Sequence, residues 1–406
     1  MQLNVLEKLA QTNPACEIWW DSSPLVYEDW CAEVLDAAPA NKVEIWRKQL
    51  QRLFSANQSS PYGEMVFRGV TTNPPLSLQA IQNDPAYWTG EIQRIIQVNP
   101  HDSVEDIYWK TYLATVKRGA EMMRPQFERS NGKYGFLSGQ VDPRFVTNLD
   151  RMRADAADLM AIAPNVMVKV PGSKEGYQLI EELTAQGVST NNTTSFAVSQ
   201  YMACMDAVSR GLETAKKNDV DLSKWRSVIT HMSARLGSVG DLAWQAADRG
   251  VDLTAEEITL GELAVMKRAY RHIQDTGHPS KMLMCSMRVK HYPETGAASS
   301  WHIQKLAGGD FVYTCPPSYI AALMQHEDQL EEFDARAIDE DISQDSLKKL
   351  STIPYFRQAY EYDGMKAEEF SQFGAFISTA TDFAAATRKT IDFVERVYQD
   401  MNVKAA

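Results

Sequence analysis

Eight short runs of apolar and β-branched residues recur along the 406-residue chain, with helix-length segments between them. The runs read as strands at 17–22, 65–72, 135–141, 166–172, 187–194, 227–233, 281–287 and 310–315. Amphipathic segments lie at 41–55, 102–128, 147–162, 174–186, 195–217, 255–275 and 317–335. Strands that alternate with helices pair in parallel through crossover connections, and eight such units suit a closed barrel. The sequence therefore predicts an α/β fold, a single (β/α)8 TIM barrel.

An open, doubly wound sheet is the alternative architecture. Its usual glycine-rich phosphate turn is missing after the first strand, where "WWDSSPLVY" contains no glycine. We expect residues 1–330 to form the barrel and residues 331–406 a helical extension. In that extension, "TDFAAATRKTIDFVERVYQDM" brings Phe383, Ile391, Val394 and Val397 near one face. The extension is therefore expected to pack on the barrel.

Composition narrows the classes of function. The chain carries 53 acidic and 41 basic side chains, a net charge of −12, without a block of Lys or Arg. Nucleic acid is thus a disfavoured partner, although a small phosphate site is compatible with this balance. The five cysteines form no CxxC pair, which favours free thiols in a reducing compartment. No signal-like start and no long apolar run occur, so we expect a soluble, cytoplasmic protein without membrane association.

The stretch "NVMVKVPG" puts Lys169 inside an apolar run that reads as a buried strand. Val166, Val168 and Val170 occupy one parity of this strand and Lys169 the other. In a barrel those two faces are the lumen and the helix layer. Either the lysine reaches the surface along its methylene stem, or its nitrogen is kept neutral for chemistry. A desolvated amine beside arginines would have a lowered pKa and would attack carbonyl groups.

Polar residues also stand near the carboxyl ends of the predicted strands, where barrels of this type carry their active sites. They are Asp21, Asn73, Gln140, Asn191, Thr193, Arg235, Ser286 and Arg288. Each of these residues also has a structural interpretation that involves no catalysis or binding. Asp21 and Asn73 lie in good capping or turn sequences, and the two arginines could pair with surface carboxylates. Together with Lys169, we expect these residues to converge on one cavity mouth.

Four stretches resemble one family. "GVTTNPPLS", "NVMVKVPGSKEG", "GVSTNNTTSF" and "CSMR" are similar, in this order, to motifs of the transaldolase family of Schiff-base-forming aldolases. The resemblance implies that Lys169 forms the imine, that Asp21 is the acid–base carboxyl, and that Thr193 helps to hold a catalytic water. It implies that Asn73 and Asn191 hold substrate hydroxyls and that Arg235, Ser286 and Arg288 bind the substrate phosphate.

The same resemblance implies sugar phosphates as substrates, a role in carbohydrate metabolism of the pentose phosphate type, and a possible homodimer. It implies no metal and no cofactor, because a protonated imine is itself the electron sink.

Some positions depart from the family pattern. Gln140 stands where transaldolases usually carry a glutamate, and it resembles the fructose-6-phosphate aldolase branch instead. That branch has a tyrosine where this chain has Met232, so neither subgroup fits fully. Thr230, which we group with the substrate-binding residues, stands where a serine is common. By alternation its neighbour His231 points to the opposite face, which favours a packing role for the histidine.

Three functions remain open from the sequence. The first is a transaldolase that moves a dihydroxyacetone unit between sugar phosphates. The second is an aldolase, or a specialised biosynthetic relative, that releases or transfers a three-carbon ketone with a different sugar. The third is a catalytically silent sugar-phosphate binder, which the pair of Asp21 and Lys169 disfavours because binding alone needs neither group.

Overall fold

Eight parallel strands form a closed barrel at the centre of the computed structural model, which describes residues 2–54 and 65–405. The barrel strands are β1 (Glu17–Asp21), β2 (Phe67–Thr71), β3 (Phe136–Gln140), β4 (Val166–Pro171), β5 (Thr190–Thr193), β6 (Ser227–Met232), β7 (Lys281–Cys285) and, after two further short strands, β10 (Val312–Cys315). Around the barrel the order is β1-β10-β7-β6-β5-β4-β3-β2. Each of the eight barrel strands falls inside one of the predicted runs, and the predicted (β/α)8 barrel is confirmed.

The helices surround the barrel and extend beyond it. They are α1 (Val5–Gln11), α2 (Tyr27–Asp36), α3 (Val43–Leu53), α4 (Pro74–Asn83), α5 (Pro85–Val98), α6 (Val104–Arg129), α7 (Leu149–Met160), α8 (Lys174–Ala185) and α9 (Val198–Lys217). They continue with α10 (Ser233–Ser238), α11 (Leu242–Asp248), α12 (Ala255–Thr276), α13 (Trp301–Gln304), α14 (Pro317–Gln325), α15 (Gln344–Leu350), α16 (Pro354–Tyr360) and α17 (Gly374–Ala405). Short 3₁₀ helices lie at Pro24–Val26, Pro143–Phe145, Ala337–Asp339 and Ala367–Gln372. None of the described helices is long and apolar enough to cross a membrane.

Local sequence explains where several of these helices start and stop. Helix α4 begins because the Asn73 side chain accepts a hydrogen bond from the Leu76 backbone, with prolines in the first turn. Helix α12 starts with a reciprocal capping box between Thr254 and Glu257. It ends at Gly277, whose φ of 64° is left-handed and suits a residue without a Cβ atom. The Asn73 cap therefore fixes the point at which the chain turns away from the end of β2, and the α12 signals fix the ends of the helix that precedes β7.

One predicted helix is wrong in its second half. The segment 317–335 was expected to be helical throughout, but α14 stops at Gln325. Beyond it, Leu330 pairs with Ala298, and the Ala298 backbone donates a hydrogen bond to the carbonyl of Gln329. Ala298 belongs to an unpredicted hairpin formed by β8 (Lys290–Tyr292) and β9 (Ala297–Ser299). Pairing with this hairpin replaces the next helical turn. The end of the predicted helix 41–55 lies outside the described residues.

Helix α17 carries the apolar face expected in the C-terminal extension. Phe383, Ile391, Val394 and Val397 are all buried, which confirms that face. The helix packs on α4, α5 and α6. Its first turns also approach the 3₁₀ helix Pro143–Phe145 and α10, close to the carboxyl ends of the barrel strands. A segment that is distant in the sequence therefore reaches the edge of the barrel where active sites of this fold lie.

Candidate active site

A cavity of about 240 Å³ opens at the carboxyl ends of the strands, and we call it the Lys169 cavity. Seven of the ten residues predicted from the sequence line it, namely Asp21, Asn73, Lys169, Thr193, Thr230, Arg235 and Ser286. Six of them lie on, or within two residues after, six of the eight barrel strands, and Arg235 lies in α10, the helix that directly follows β6. Met232, which like Thr230 departs from the family pattern, lines the cavity too. The expected convergence on one cavity mouth is observed for these residues.

Lys169 is buried on β4, and its Nζ donates a hydrogen bond to the carbonyl oxygen of Thr72 at 3.0 Å. Burial lowers the pKa of Lys169, because a desolvated ammonium loses its hydration. The negative charge of Asp21 opposes this shift but is the weaker effect. The amine thus lies inside the ring of strands and does not reach bulk water along its stem. This environment favours a neutral, nucleophilic nitrogen.

Asp21 closes β1 and faces the same cavity. Its Oδ1 accepts a hydrogen bond of 2.6 Å from the hydroxyl of Thr71, which shares a second one of 2.6 Å with the hydroxyl of Thr314. Burial raises the pKa of Asp21, and the charge of Lys169 and the Thr71 hydroxyl offset this only in part. A carboxyl whose pKa lies nearer neutrality is suited to take up and return a proton.

Amide and hydroxyl groups surround the amine on β3, β5 and β6. Gln140, Lys169 and Asn191 are register partners on the adjacent strands β3, β4 and β5. Asn191 is buried, donates a hydrogen bond to the Ser138 hydroxyl at 2.9 Å and accepts one from Thr230 at 2.8 Å. Asn191 and Gln140 lie beside Lys169 in the sheet, but neither belongs to the lining of the cavity. The capping interpretation of Asn73 also holds, since this residue both caps α4 and lines the cavity.

Two buried side-chain oxygens near the amine have no hydrogen-bond partner among the described residues. They are Gln140 Oε1 and Thr193 Oγ1. The backbone of Gln140 is fixed on both sides, because its N–H donates to the Tyr112 hydroxyl and its carbonyl accepts from it. Buried polar atoms in proteins are normally satisfied, so a pair of unsatisfied ones beside a cavity indicates a place where a polar ligand or water binds.

The residues predicted to bind a phosphate are separated by the structure. Arg235 and Ser286 line the Lys169 cavity, and Ser286 has a φ of 58°, a left-handed conformation that is uncommon for a residue other than glycine. Arg288 lies outside the lining of this cavity. Its Nη2 donates to Glu262 Oε1 at 2.7 Å, and it lines a neighbouring cavity of about 390 Å³ beside the β8–β9 hairpin. The expectation that Arg288 joins the others at one cavity is therefore not met.

Sequence reasoning missed several residues of the site. Thr71 and Thr314 were not singled out, although they position Asp21. Cys285 also lines the cavity, but burial raises the pKa of its thiol to about 12, so it is a poor nucleophile there. Phe383 reaches the cavity from α17. The alternation of strand residues could have indicated Thr71, whereas nothing local in the sequence indicates Phe383.

His231 has the packing role predicted for it. It is fully buried, with Nδ1 hydrogen-bonded to the Tyr201 hydroxyl at 2.5 Å and Nε2 to the carbonyl of Glu262 at 3.0 Å. Burial lowers its pKa to about 3, so the ring stays neutral at physiological pH. Its partners lie on α9 and α12, on the helix side of the barrel. The histidine therefore connects β6 to the helix layer.

Comparison with known proteins identifies the family. The family model described as transaldolase/fructose-6-phosphate aldolase matches residues 57–369. The chain belongs to this family. A transaldolase of Saccharopolyspora erythraea is 28% identical over 308 residues, which cover 72% of this chain and 82% of that protein. A transaldolase of Thermobifida fusca is 28% identical over 300 residues, covering 70% and 80%. One of Thiobacillus denitrificans is 28% identical over 290 residues, covering 67% and 77%.

The resemblance drawn from the four motifs is thereby confirmed, and the protein is a transferase-type enzyme of the transaldolase family. The family description joins two activities, transaldolase and fructose-6-phosphate aldolase. The matched range ends at residue 369, before α17 begins at Gly374. The helix that brings Phe383 to the Lys169 cavity therefore lies beyond the region of the family match.

Proposed function

We propose that this enzyme transfers a dihydroxyacetone unit between sugar phosphates through an imine on Lys169. The observation that carries this proposal is that a buried amine and a buried carboxyl line the same cavity at the carboxyl ends of the strands. The relatives named transaldolase support the class of reaction.

In the first step, the neutral amine of Lys169 adds to the C2 carbonyl of the donor ketose. The hydroxyl group of the resulting carbinolamine takes up a proton from the solvent and leaves as water, which gives a protonated imine. Burial supports this step, because it lowers the pKa of the amine and so increases its unprotonated fraction. The opening at the strand ends gives the ketose a path to the nitrogen, whereas the walls of the barrel exclude bulk water.

In the second step, Asp21 accepts the proton of the C4 hydroxyl as the C3–C4 bond breaks. The electron pair of that bond passes into the protonated imine and gives an enamine, and the first aldose leaves. The enamine then attacks the aldehyde of the acceptor, and Asp21 returns the proton to the new hydroxyl. Hydrolysis of the imine releases the product and restores the amine. The raised pKa of Asp21 supports this exchange of a proton in both directions.

The other residues of the predicted site take supporting roles in this proposal, both those that line the cavity and Asn191 and Gln140 on the strands beside Lys169. Asn73, Asn191 and Thr230 hold the hydroxyls of the three-carbon fragment, and Arg235 with Ser286 binds the phosphate. Thr193 and Gln140 hold the water that hydrolyses the imine, since their buried side-chain oxygens have no hydrogen-bond partner within residues 2–54 and 65–405. Arg288 takes no part, because its guanidinium is bound to Glu262 outside the cavity.

An aldolase that releases dihydroxyacetone is the second candidate, and Gln140 is the observation that favours it. A glutamine orients a water molecule but cannot exchange a proton with it at neutral pH. The fate of the enamine, protonation and release or attack on an acceptor, depends on proton transfer near that water. Measuring free dihydroxyacetone with and without an aldehyde acceptor separates the two candidates, since acceptor-independent release favours the aldolase.

Borohydride trapping tests the covalent mechanism. Reduction of the protein with sodium borohydride in the presence of fructose 6-phosphate should add one reduced three- or six-carbon fragment, mapped by mass spectrometry to the peptide that carries Lys169. The Lys169→Met variant should give no adduct. Lys267 is the internal comparison, because it is also buried and burial lowers its pKa to about 8. An adduct on Lys267, or none on the wild-type protein, would contradict the proposal.

A further inference from the structure

We propose that Asp382, on α17, competes with the phosphate group of a sugar for Arg235 and so lowers the affinity of the enzyme for phosphorylated ligands. The inference rests on the proposed function for the nature of the ligand. It adds a specificity-determining carboxylate that lies beyond the part of the chain matched by the family.

The contact itself is direct. Arg235 lines the Lys169 cavity, and its Nη1 donates hydrogen bonds to Asp382 Oδ2 at 2.8 Å and to the Thr379 hydroxyl at 3.3 Å. A guanidinium recognises carboxylate and phosphate through the same set of N–H donors. An anion that enters the cavity and binds Arg235 therefore has to share those donors with Asp382 or displace it.

Helix α17 keeps the carboxylate in this place. Phe383 is buried in the cavity lining, and its ring centre lies 5.8 Å from the guanidinium carbon of Arg235. One turn earlier, the Ser378 hydroxyl donates a hydrogen bond to the Val239 carbonyl at 2.8 Å. The side chain of Asp382 is nevertheless 58% exposed, so it returns to water when an anion displaces it. Such an exposed pair is weak enough to be displaced.

The other predicted arginine does not relieve this competition. Arg288 is held by Glu262, a fully buried carboxylate that also accepts a hydrogen bond from His302 Nε2 at 2.9 Å. A buried carboxylate that lost its guanidinium partner would be left poorly solvated, which opposes movement of Arg288 into the Lys169 cavity. Recognition of a phosphate at the mouth therefore depends on Arg235, and its strength depends on Asp382.

The test measures binding without chemistry. Sorbitol 6-phosphate has no carbonyl group and cannot form an imine, so its affinity can be measured by calorimetry on the intact enzyme. The Asp382→Asn variant should bind it about two- to fivefold more tightly than the wild-type protein, which corresponds to the loss of one exposed ion pair. Asp392→Asn is the matched control, because Asp392 lies on the same helix and pairs with Arg388 at 2.9 Å. It removes the same charge and should leave the affinity unchanged.

A double variant completes the cycle. In an Arg235→Gln background, Asp382→Asn should no longer increase the affinity, since the competed guanidinium is gone. The inference is overturned if Asp382→Asn binds no more tightly than Asp392→Asn, or if its gain persists in the Arg235→Gln background. Borohydride trapping keeps this outcome separate from the covalent mechanism. If trapping fails while Asp382→Asn still gains affinity, only the covalent mechanism is contradicted. If trapping succeeds while Asp382→Asn gains no affinity, only the competition by Asp382 is contradicted.

Discussion

Among the residues whose burial the structure describes, two lysines are buried, and their surroundings differ. Lys169 on β4 is 5% exposed and Lys267 on α12 is 3% exposed, so burial does not distinguish them. Lys267 donates hydrogen bonds to three carbonyls, those of Ala337 at 2.7 Å, Ile338 at 3.2 Å and Glu340 at 2.7 Å. Within the described part of the chain, Lys169 donates to one carbonyl, that of Thr72, and otherwise faces a cavity that holds Asp21.

The difference shows that two lysines of similar burial can differ in how fully the protein occupies their N–H donors. An ammonium has three N–H donors, and the environment of Lys267 uses all of them to join α12 to the 3₁₀ helix Ala337–Asp339. Lys169 keeps donors, or a lone pair when neutral, directed at space that a substrate can enter. A reactive amine needs both the lowered pKa and an N–H donor or lone pair that no protein group occupies.

Replacing Lys169 by methionine should reduce mainly the activity, whereas replacing Lys267 should reduce mainly the stability. Lys169→Met should lower kcat by at least about 10³-fold with little change in stability, because the reacting nitrogen is lost from a partly open cavity. Lys267→Met should keep activity but lose about 2–4 kcal/mol of stability, because three carbonyls lose their donor. Steady-state kinetics and urea unfolding measure the two effects. An equal loss of activity in Lys169→Met and Lys267→Met would contradict a specific role for Lys169 in the reaction.

Removing the carboxyl next to the reactive amine should separate imine formation from bond cleavage. Asp21→Asn should lower kcat by about 10²- to 10⁴-fold, since asparagine cannot accept the C4 hydroxyl proton. Borohydride trapping on Lys169 should persist in this variant. Thr71→Val, which removes only the hydroxyl bonded to Asp21, serves as the milder control. Loss of trapping together with turnover would mean that Asp21 acts on the imine step instead.

Gln140 is the register neighbour of Lys169, and changing it should alter the fate of the three-carbon fragment. Gln140→Glu should increase the ratio of transfer to release, by about threefold to tenfold, because a carboxyl can exchange a proton with the nearby water. The ratio is measured as sugar product against free dihydroxyacetone. Gln186→Glu, on an exposed turn after α8, makes the same chemical change away from the site. An unchanged ratio in Gln140→Glu would remove the proposed role of this side chain.

The pH dependence of trapping should reveal the coupling between Lys169 and Asp21. Burial lowers the pKa of Lys169, so the rate of imine trapping should rise with pH and level off below the value of 10.5 that an ordinary lysine would show. The charge of Asp21 raises that pKa again. Asp21→Asn should therefore move the midpoint to lower pH, by about one unit or less. A midpoint that moves upward would contradict the sign of this interaction.

The repeated alternation of strands and helices was sufficient to predict the barrel and the segment of each barrel strand. It was sufficient also to predict that Lys169, Asp21, Asn73, Thr193, Arg235 and Ser286 meet at one cavity, because the topology of such a barrel brings all strand ends to one edge. Thr230, which lines the same cavity, was indicated only by the family resemblance. Prediction failed after Gln325, where α14 ends because the chain pairs with a distant hairpin. A helical periodicity in the sequence carries no information about such a competing partner.

The sequence by itself determined the periodic pattern, the order of the strands and the residue types at their ends, because these depend on local alternation and on a single rule of topology. Only the tertiary structure decided which carboxylate each arginine binds. Arg288 pairs with Glu262, 26 residues away, and Arg235 pairs with Asp382, 147 residues away. Long, flexible side chains choose partners by distance in the folded state, and that distance is set by how α12 and α17 pack against the barrel.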